Sequence, residues 1–334
     1  MTMLAPLLSG VVLGISGELA GAKPGSGADE VTPQERQCMA RGWKRVAITV
    51  EGVPRKLLWK AGGGAWPKGA LIVLHGGGGE HFQWCVANAP ILEPQVSFSE
   101  GAVAEGFAVF LLNSSDLITD NADRRCGKVW DDEVRRRPNL DLPFIGTVLR
   151  EFVPMVRPAN SRREMFMTGL SSGGYMTVRA ATHFDHLVTA FAPVSSGDPY
   201  GWHRRCEAGT TARKAVHGAG FDNETMKQIT ERDACVAAAY PNEKPWDSAK
   251  PAIKPAFRVF RHAEDGINDA SCNRKVSQRL REQGYRGAPD FELQGGRRSL
   301  ANHLWLDAYN RPILDFFSSQ LNDHTAAAPA QRGD

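Results

Sequence analysis

Short apolar runs alternate with amphipathic stretches along most of the chain. Period-two alternation or continuous apolar character predicts strands at residues 46–50, 56–60, 70–74, 107–112, 165–168, 187–194, 257–260 and 290–293. Apolar residues at helical spacing predict helices at 141–153, 174–181, 273–283 and 305–321. Strands that alternate with helices indicate an α/β fold with a mostly parallel central sheet and helices on both faces.

Several segments depart from this alternation of strands and helices. Glu51-Gly52 separates the first two strands and predicts a hairpin turn. Residues 198–250 are polar, and we expect them to form a lid-like insertion over the sheet. We therefore expect one folded domain over 41–322, a linker and N-terminal extension at 23–40, and a disordered tail at 323–334.

The start of the chain predicts export to the periplasm or the cell exterior. Residues 1–22 contain an apolar stretch too short to span a bilayer, and the small residues at 20–22 suit signal peptidase, so no stable membrane insertion is expected. No Lys or Arg precedes the apolar run and Glu18 lies near its end, which leaves a disordered cytosolic tail as the alternative. The formal charge of +3 is too small to indicate nucleic-acid binding.

The cysteines extend the export hypothesis. An even number in an exported protein predicts up to three disulfides, with a Cys206–Cys235 bridge able to tie the ends of the insertion together. Buried free thiols are the alternative. No CxxC pair suggests zinc or redox chemistry among the six: Cys38, Cys85, Cys126, Cys206, Cys235 and Cys272.

A G-x-S-x-G sequence, Gly169 to Gly173, lies between a predicted strand and a predicted helix. In that context the motif predicts a nucleophile elbow, in which a strained turn exposes Ser171 at a helix N-terminus. The flanking glycines are needed because side chains there would collide with the neighbouring strand and helix. An ordinary Gly/Ser turn is the alternative.

The glycine-rich sequence from His75 to Gly79 follows the predicted strand 70–74. Acyl transfer develops an oxyanion that preorganised N–H donors must meet, and we expect the backbone amides of Gly77 and Ser172 to be those donors. Such a loop could also hold a phosphate, but it lacks the Lys-Ser/Thr ending of a P-loop.

A serine nucleophile needs a base, and hydrolases with a nucleophile elbow place the acid and then the histidine after the serine. His303 lies between the last predicted strand and the closing helix, where that base is expected. Asp265 is the preferred acid in the loop that follows strand 257–260, ahead of Asp269 and Glu264.

With these motifs, the chain resembles the polyhydroxybutyrate depolymerase and feruloyl/acetylxylan esterase group of secreted α/β-hydrolases, over most of residues 70–317. The shared features are an LHG-Gly-rich loop (74–79), a G-x-S-x-G-G elbow (169–174), an acid-ending loop (261–265), a late H-x-W (303–305) and the helix start at 141–145. Two departures affect loops that line the substrate: Leu306-Asp307 replaces Pro-Gly, and Arg261-His262 replaces His-Gly.

The resemblance implies an α/β-hydrolase fold and a serine esterase that requires no cofactor and acts on an ester-containing polymer or small molecule. The expected triad is Ser171, His303 and Asp265, with Trp305 as a candidate substrate contact or, alternatively, a core residue. An amide hydrolase with the same triad and a non-catalytic binding protein are the competing hypotheses. No metal is expected, because the acids at 116–132 lack EF-hand spacing.

Overall fold

The structure is a computed structural model that describes residues 30–115, 117–118, 127–132, 138–199, 254–268 and 270–321. Several sequence predictions lie outside these residues: the signal peptide, most of the insertion, the C-terminal tail, the Cys206–Cys235 bridge and Asp269. The strands and helices below therefore belong to the described part of the chain.

A mixed sheet forms the centre of the domain. Its strands are β1 (Lys44–Val50), β2 (Val53–Lys60), β3 (Ala70–Leu74), β4 (Ala108–Leu112), β5 (Met165–Leu170), β6 (Ala190–Val194), β7 (Ala256–Phe257), β8 (Phe260–His262), β9 (Arg286–Gly287) and β10 (Phe291–Leu293). The order across the sheet is β1-β2-β4-β3-β5-β6-β7-β9, and β8 lies between β6 and β10. β2 runs antiparallel to β1 and β4, whereas the remaining pairs are parallel.

Helices cover both faces of the sheet, as the alternation predicts. They are α1 (Pro33–Ala40), α2 (Glu93–Ala104), α3 (Leu142–Thr147), α4 (Val153–Val156), α5 (Ser172–His183), α6 (Ala270–Glu282) and α7 (Asp307–Gln320), with a π-helical segment at Val148–Phe152 joining α3 to α4. Short 3₁₀ helices occur at His81–Trp84, Pro90–Leu92 and Ala301–His303. None of the helices in the described ranges is long and apolar enough to cross a membrane.

The core is divided by the sheet into two layers, and strand β3 shows why. Its five residues are all buried, but alternate side chains point to opposite faces. Ala70, Ile72 and Leu74 pack with α3, α5 and α6, whereas Leu71 and Val73 pack with α2 and α7. A strand that is apolar at every position is therefore the expected sequence for the middle of a sheet covered on both sides.

One sequence prediction needs correction, and the N-terminal extension contains a helix that was not predicted. Residues 33–40 form helix α1 within the segment expected to be a linker and extension; a capping box from Thr32 and Glu35 begins this helix. The predicted strand 257–260 is divided into β7 and β8, because Arg258 and Val259 leave the ladder between them. Helix α2, β9 and the 3₁₀ helices are additional elements.

Candidate active site

Ser171 occupies the turn between β5 and α5. Its backbone has φ 54° and ψ −118°, a conformation that costs free energy for a residue with a side chain. The Ser171 amide donates to Val194 O at 2.9 Å, which fastens the turn to the end of β6. The strained turn predicted from the G-x-S-x-G motif is thus present at the carboxyl end of a central strand.

Glycines make this turn possible because backbone approaches closely on both sides of Ser171. A Cβ added to Gly173 would lie 2.4 Å from both Leu74 O and His75 O, and one added to Gly169 would lie 2.5 Å from Gly173 O. Neither position can accept a side chain without movement of the main chain. The motif therefore reflects a steric requirement of the strand–turn–helix junction.

Asp265 and His303 form a buried pair at the same edge of the sheet. His303 Nδ1 lies 3.0 Å from Asp265 Oδ1 and 2.9 Å from Oδ2, and the side chains are 6% and 0% exposed. The loop after β8 brings in Asp265, and the 3₁₀ turn before α7 brings in His303. The sequence paired these two residues, and the structure brings them into contact.

Backbone amides fix the orientation of the Asp265 carboxylate. Oδ1 accepts hydrogen bonds from Ile267 N at 2.8 Å and Asn268 N at 2.9 Å. Asn268 is fully buried; it donates through Nδ2 to Ser195 O at 2.5 Å and accepts from Tyr175 Oη at 3.3 Å. Asn268 therefore ties the acid loop to the end of β6 and to α5, a connection that sequence motifs do not reveal.

Ser171 lies two strands from the Asp265 loop, since β5 pairs with β6 and β6 pairs with β8. Strands are about 4.8 Å apart, so the two loops are neighbours at the carboxyl edge of the sheet. In the described part of the chain, no hydrogen bond joins Ser171 Oγ to the His303 ring. Such bonds are often long in a ligand-free site and shorten when substrate is bound.

The glycine loop provides candidate donors next to Ser171. Gly78 N donates to Lys128 O at 2.5 Å and Gly79 N donates to Gly76 O at 2.9 Å. The Gly77 amide has no acceptor among the described residues, so it can donate to a bound group. Position 77 is also half-buried, as an oxyanion donor must be.

The Ser172 hydroxyl stabilises the site instead of facing substrate. Ser172 Oγ accepts from Trp130 N at 3.0 Å and donates to Asp132 Oδ2 at 3.1 Å. The Trp130 indole in turn donates to His75 O at 2.8 Å, which links the elbow to the glycine loop. The two segments that would supply the oxyanion donors are therefore held together by a common network.

His75 begins the glycine loop but is poorly suited to proton transfer at neutral pH. Burial lowers the pKa of His75 to about 4, against the hydrogen bond to Gly76 O that favours the charged form. Its Nε2 accepts from Ser114 N at 3.1 Å, which fixes the neutral tautomer. His75 thus acts as a structural link between the ends of β3 and β4.

The candidate substrate role of Trp305 is not supported by its position. The side chain is 1% exposed and packs edge-on against Trp84 with ring centroids 4.7 Å apart. Its indole N–H donates to Asn310 Oδ1 at 2.7 Å, so the polar atom is already paired. Trp305 is a core residue here, as are Trp84 and Trp130.

Chemically, the arrangement offers a serine in a strained turn, a buried imidazole–carboxylate pair and a free backbone amide. No group of three or more His, Cys, Asp or Glu side chains in the described ranges is arranged to hold a metal ion. The groups present are those of acyl transfer through an activated hydroxyl.

Comparison with known proteins relates the chain to others by structure rather than by sequence. No protein-family model matches it, and no curated protein matches it significantly. The fold is similar to a hyperthermophilic esterase from Pyrobaculum calidifontis, with 14% identity over 86% of each chain and a TM-score of 0.54. Fungal esterases from Rhizomucor miehei give 14% identity, 90% coverage of this chain, 94% of theirs and a TM-score of 0.52.

An acylaminoacyl peptidase from Pyrococcus horikoshii is also similar, with 14% identity and a TM-score of 0.53. The match covers 83% of this chain but only 41% of the peptidase chain. Identities this low indicate a shared fold and leave activity to be argued from the site. By its sheet order, its covering helices and these structural neighbours, the chain has the α/β-hydrolase fold.

Proposed function

We propose that the protein is a serine hydrolase that cleaves carboxylic esters, with Ser171 as nucleophile, His303 as proton carrier and Asp265 as the residue that orients His303. The observation that supports this most strongly is the buried His303–Asp265 pair, at the sheet edge where Ser171 adopts its positive φ. A buried pair of this kind has little value for stability alone, but it holds an imidazole in one tautomer.

In the first half of the reaction, Ser171 Oγ attacks the ester carbonyl carbon while His303 Nε2 accepts the hydroxyl proton. The carbonyl oxygen becomes an oxyanion that the amides of Gly77 and Ser172 stabilise. The tetrahedral intermediate collapses, the C–O bond to the alcohol breaks, and His303 returns the proton to the leaving alkoxide. The products are a free alcohol and an acyl-Ser171 ester.

In the second half, His303 removes a proton from water, and the hydroxide equivalent attacks the acyl carbon. Collapse of this intermediate releases the carboxylic acid and returns the proton to Ser171 Oγ. Throughout, Asp265 keeps the proton of His303 on Nδ1, so that Nε2 is the basic atom.

The resemblance of the motifs favours a polyester of the polyhydroxyalkanoate type, or a hydroxycinnamoyl or acetyl ester, as substrate. Secretion or periplasmic location would fit a polymeric substrate. The structural neighbours named as esterases agree with ester cleavage, and the one named as an acylaminoacyl peptidase is the reason to test amides as well.

The test is turnover of p-nitrophenyl esters, feruloyl esters, polyhydroxybutyrate and aminoacyl amides by wild type and by Ser171→Ala. We expect ester turnover and fluorophosphonate labelling in wild type, and neither in the variant. Folding of Ser171→Ala should be unchanged, because the turn depends on its glycines.

Fluorophosphonate label on Ser172 in wild type would show that the assignment of Ser171 as nucleophile is wrong. Faster turnover of amides than of esters would replace the ester proposal with the amide one. Wild type inert to every substrate and to the fluorophosphonate would favour a binding protein on a hydrolase scaffold.

A further inference from the structure

Helix α1 is covalently attached to the segment that follows the glycine loop. A disulfide joins Cys38 of α1 to Cys85, with the two Cα atoms 5.6 Å apart and both residues fully buried. Arg41, which ends the helix, donates from Nη1 to Cys85 O at 3.0 Å. Two independent links therefore join the C-terminal end of α1 to residue 85.

A buried carboxylate–imidazole contact joins the other end of the same helix to the same segment. Glu35 Oε1 lies 3.2 Å from His81 Nε2, and the two side chains are 1% and 2% exposed. The other carboxylate oxygen, Oε2, accepts from Thr32 N at 2.8 Å. Each end of α1 thus contacts one end of the 81–85 segment.

This segment continues directly from the candidate oxyanion loop. Gly79 closes the glycine loop, Glu80 follows, and the 3₁₀ helix begins at His81. Glu80 N donates to Gln83 Oε1 at 3.1 Å, which ties the end of the loop to the short helix. A displacement of the 3₁₀ helix would therefore be transmitted to the amide of Gly77.

A cavity of about 450 Å³ lies beside the contact between the two segments. Glu35 of α1 and Thr32 before it line this cavity, together with Glu80, His81 and Phe82 and with residues of β2 and of the segment after β4. Away from the cavity, Cys38 and Cys85 pack in the same apolar cluster. The disulfide and the polar contacts therefore add to apolar packing in fixing the loop relative to α1.

The opposite side of the loop is held separately. Lys128 O accepts from Gly78 N, and the Trp130 indole donates to His75 O. The loop is thus fixed at its start by residues 128–130 and beyond its end by α1. Removal of the α1 links would free only the end of the glycine loop that leads to residue 81. The position of the Gly77 amide should then change without unfolding of the loop.

We propose that α1 clamps the glycine loop, and that Glu35 and the Cys38–Cys85 disulfide position the Gly77 amide for stabilisation of the oxyanion. This inference rests on the proposed ester hydrolysis. Glu35 is a positioning residue in this account, since it acts through His81 and touches no reacting atom. The clamp ties an N-terminal helix, outside the predicted domain core, to the rate of the chemical step.

The experiment compares wild type, Glu35→Gln and the double variant Cys38→Ser/Cys85→Ser in hydrolysis of p-nitrophenyl acetate. An oxyanion donor acts in the transition state, so kcat should fall while KM stays within about two-fold. We expect a loss in kcat of about 10- to 100-fold for the double variant and less for Glu35→Gln, because the donor is displaced, not removed. Assays well below each variant's Tm separate this effect from unfolding.

Glu100→Ala is the matched control. Glu100 accepts from Trp43 and Lys60, so the variant loosens the same N-terminal region without touching the glycine loop. Its kcat should match wild type. Equal kcat in the control and the double variant, both well folded, would overturn the clamp.

Hydrogen exchange gives a readout that needs no turnover. The Gly78 and Gly79 amides should exchange faster in the double variant than in Glu100→Ala, because their loop loses one anchor. Unchanged exchange would contradict the clamp whatever the activity. An inactive wild type with faster exchange in the double variant would instead refute ester hydrolysis and leave the clamp standing.

Discussion

At the residue scale, the Asp265 carboxylate both faces His303 and accepts hydrogen bonds from the backbone of its own loop. Its carboxylate faces His303, while the amides of Ile267 and Asn268 donate to Oδ1 and prevent rotation. The sequence placed the acid in the loop after strand 257–260, and the resemblance matched Asp265 to the acid that ends the corresponding loop of the family. The hydrogen bonds give a physical reason for that choice, because a short side chain at this turn can face the histidine and accept from its own loop.

We predict that Asp265→Asn lowers kcat by about three to four orders of magnitude while KM changes little, since an amide would favour the wrong tautomer of His303. Asp269→Asn is the comparison variant, and it should lower kcat far less. Steady-state kinetics on a p-nitrophenyl ester would decide. The reverse ranking, with both variants folded, would move the acid role to Asp269.

A second residue-scale prediction concerns acid stability. Burial would raise the pKa of Glu35, but hydrogen bonds from His81 and Thr32 and the charges of His81 and Lys56 lower it from 4.5 to about 2. Because the folded-state pKa lies below the unfolded value, the stabilisation is complete above about pH 4.5 and is lost as pH falls toward 2. The shift corresponds to at most about 3 kcal/mol.

Glu35→Gln should therefore reduce the free energy of unfolding at pH 7 and have little effect near pH 2. Urea unfolding at pH 7, 4 and 3 measures the difference between variant and wild type. Glu100→Gln, at a half-exposed carboxylate, serves as the control with a small effect at each pH. If the difference in free energy of unfolding between Glu35→Gln and wild type stays constant with pH, the charge of Glu35 is not the source of the stabilisation.

Candidate site residues could be chosen from the sequence where a motif fixes the chemistry and less so elsewhere. Ser171, Asp265 and His303 could be selected because strand–turn–helix order limits where such groups can meet. Trp305 could not be assigned, since a tryptophan after the histidine can face a cleft or the core, and only the packing against Trp84 distinguishes them. Asn268 belongs to no motif, and Glu35 belongs only to the T-x-x-E capping box that begins α1. The contacts of both residues with other segments depend on their burial, which sequence does not show.

At the scale of elements, the junction of β5 and α5 is tightly restricted. Gly173 lies against the backbone that ends β3 and starts the glycine loop, so helix, strand and loop meet at one point without side chains between them. This contact brings the Ser172 amide close to the glycine loop. The geometry of both candidate oxyanion segments thus depends on one glycine.

We predict that Gly173→Ala destabilises the protein by more than about 3 kcal/mol or prevents folding, because its Cβ would lie 2.4 Å from two carbonyl oxygens. Gly101→Ala in helix α2 is the control. An added Cβ there meets nothing within 4 Å, and the substitution should stabilise by about 0.4 to 1 kcal/mol. Thermal unfolding of both variants tests this, and equal Tm values would contradict the steric account.

Prediction of helices and strands failed where the buried positions do not follow a periodic apolar pattern. Helix α1 has the sequence PQERQCMA, and its buried residues are Glu35 and Cys38, so no apolar stripe identifies it. The strand predicted at 257–260 is apolar enough for one strand, yet its middle leaves the ladder. By contrast, β3 was predicted at its observed bounds because continuous apolar character between two faces has one common structural solution.

At the scale of the whole molecule, the Cys38–Cys85 disulfide closes a loop with a sequence separation of 47 residues. Chain-entropy arguments give about 4 kcal/mol for a loop of this length. We predict that Cys38→Ser/Cys85→Ser lowers the free energy of unfolding by about 2 to 4 kcal/mol, measured by chemical denaturation. A matching loss in wild type under reducing conditions is expected, and no change in either case would show that the bond adds no stability.

The position of each strand in the sheet has a consequence for how activity arises during synthesis. β3 lies in the middle, and the later strands β5, β6, β7 and β9 are added outward from it in chain order. The proposed nucleophile at Ser171 follows β5 in the middle of the sequence, whereas His303 follows β10, the last strand in the described ranges. A ribosome-bound chain could complete the elbow and still contain no base for it. The proposed enzyme would therefore stay catalytically silent until the segment that carries His303 has been made and has folded onto the sheet.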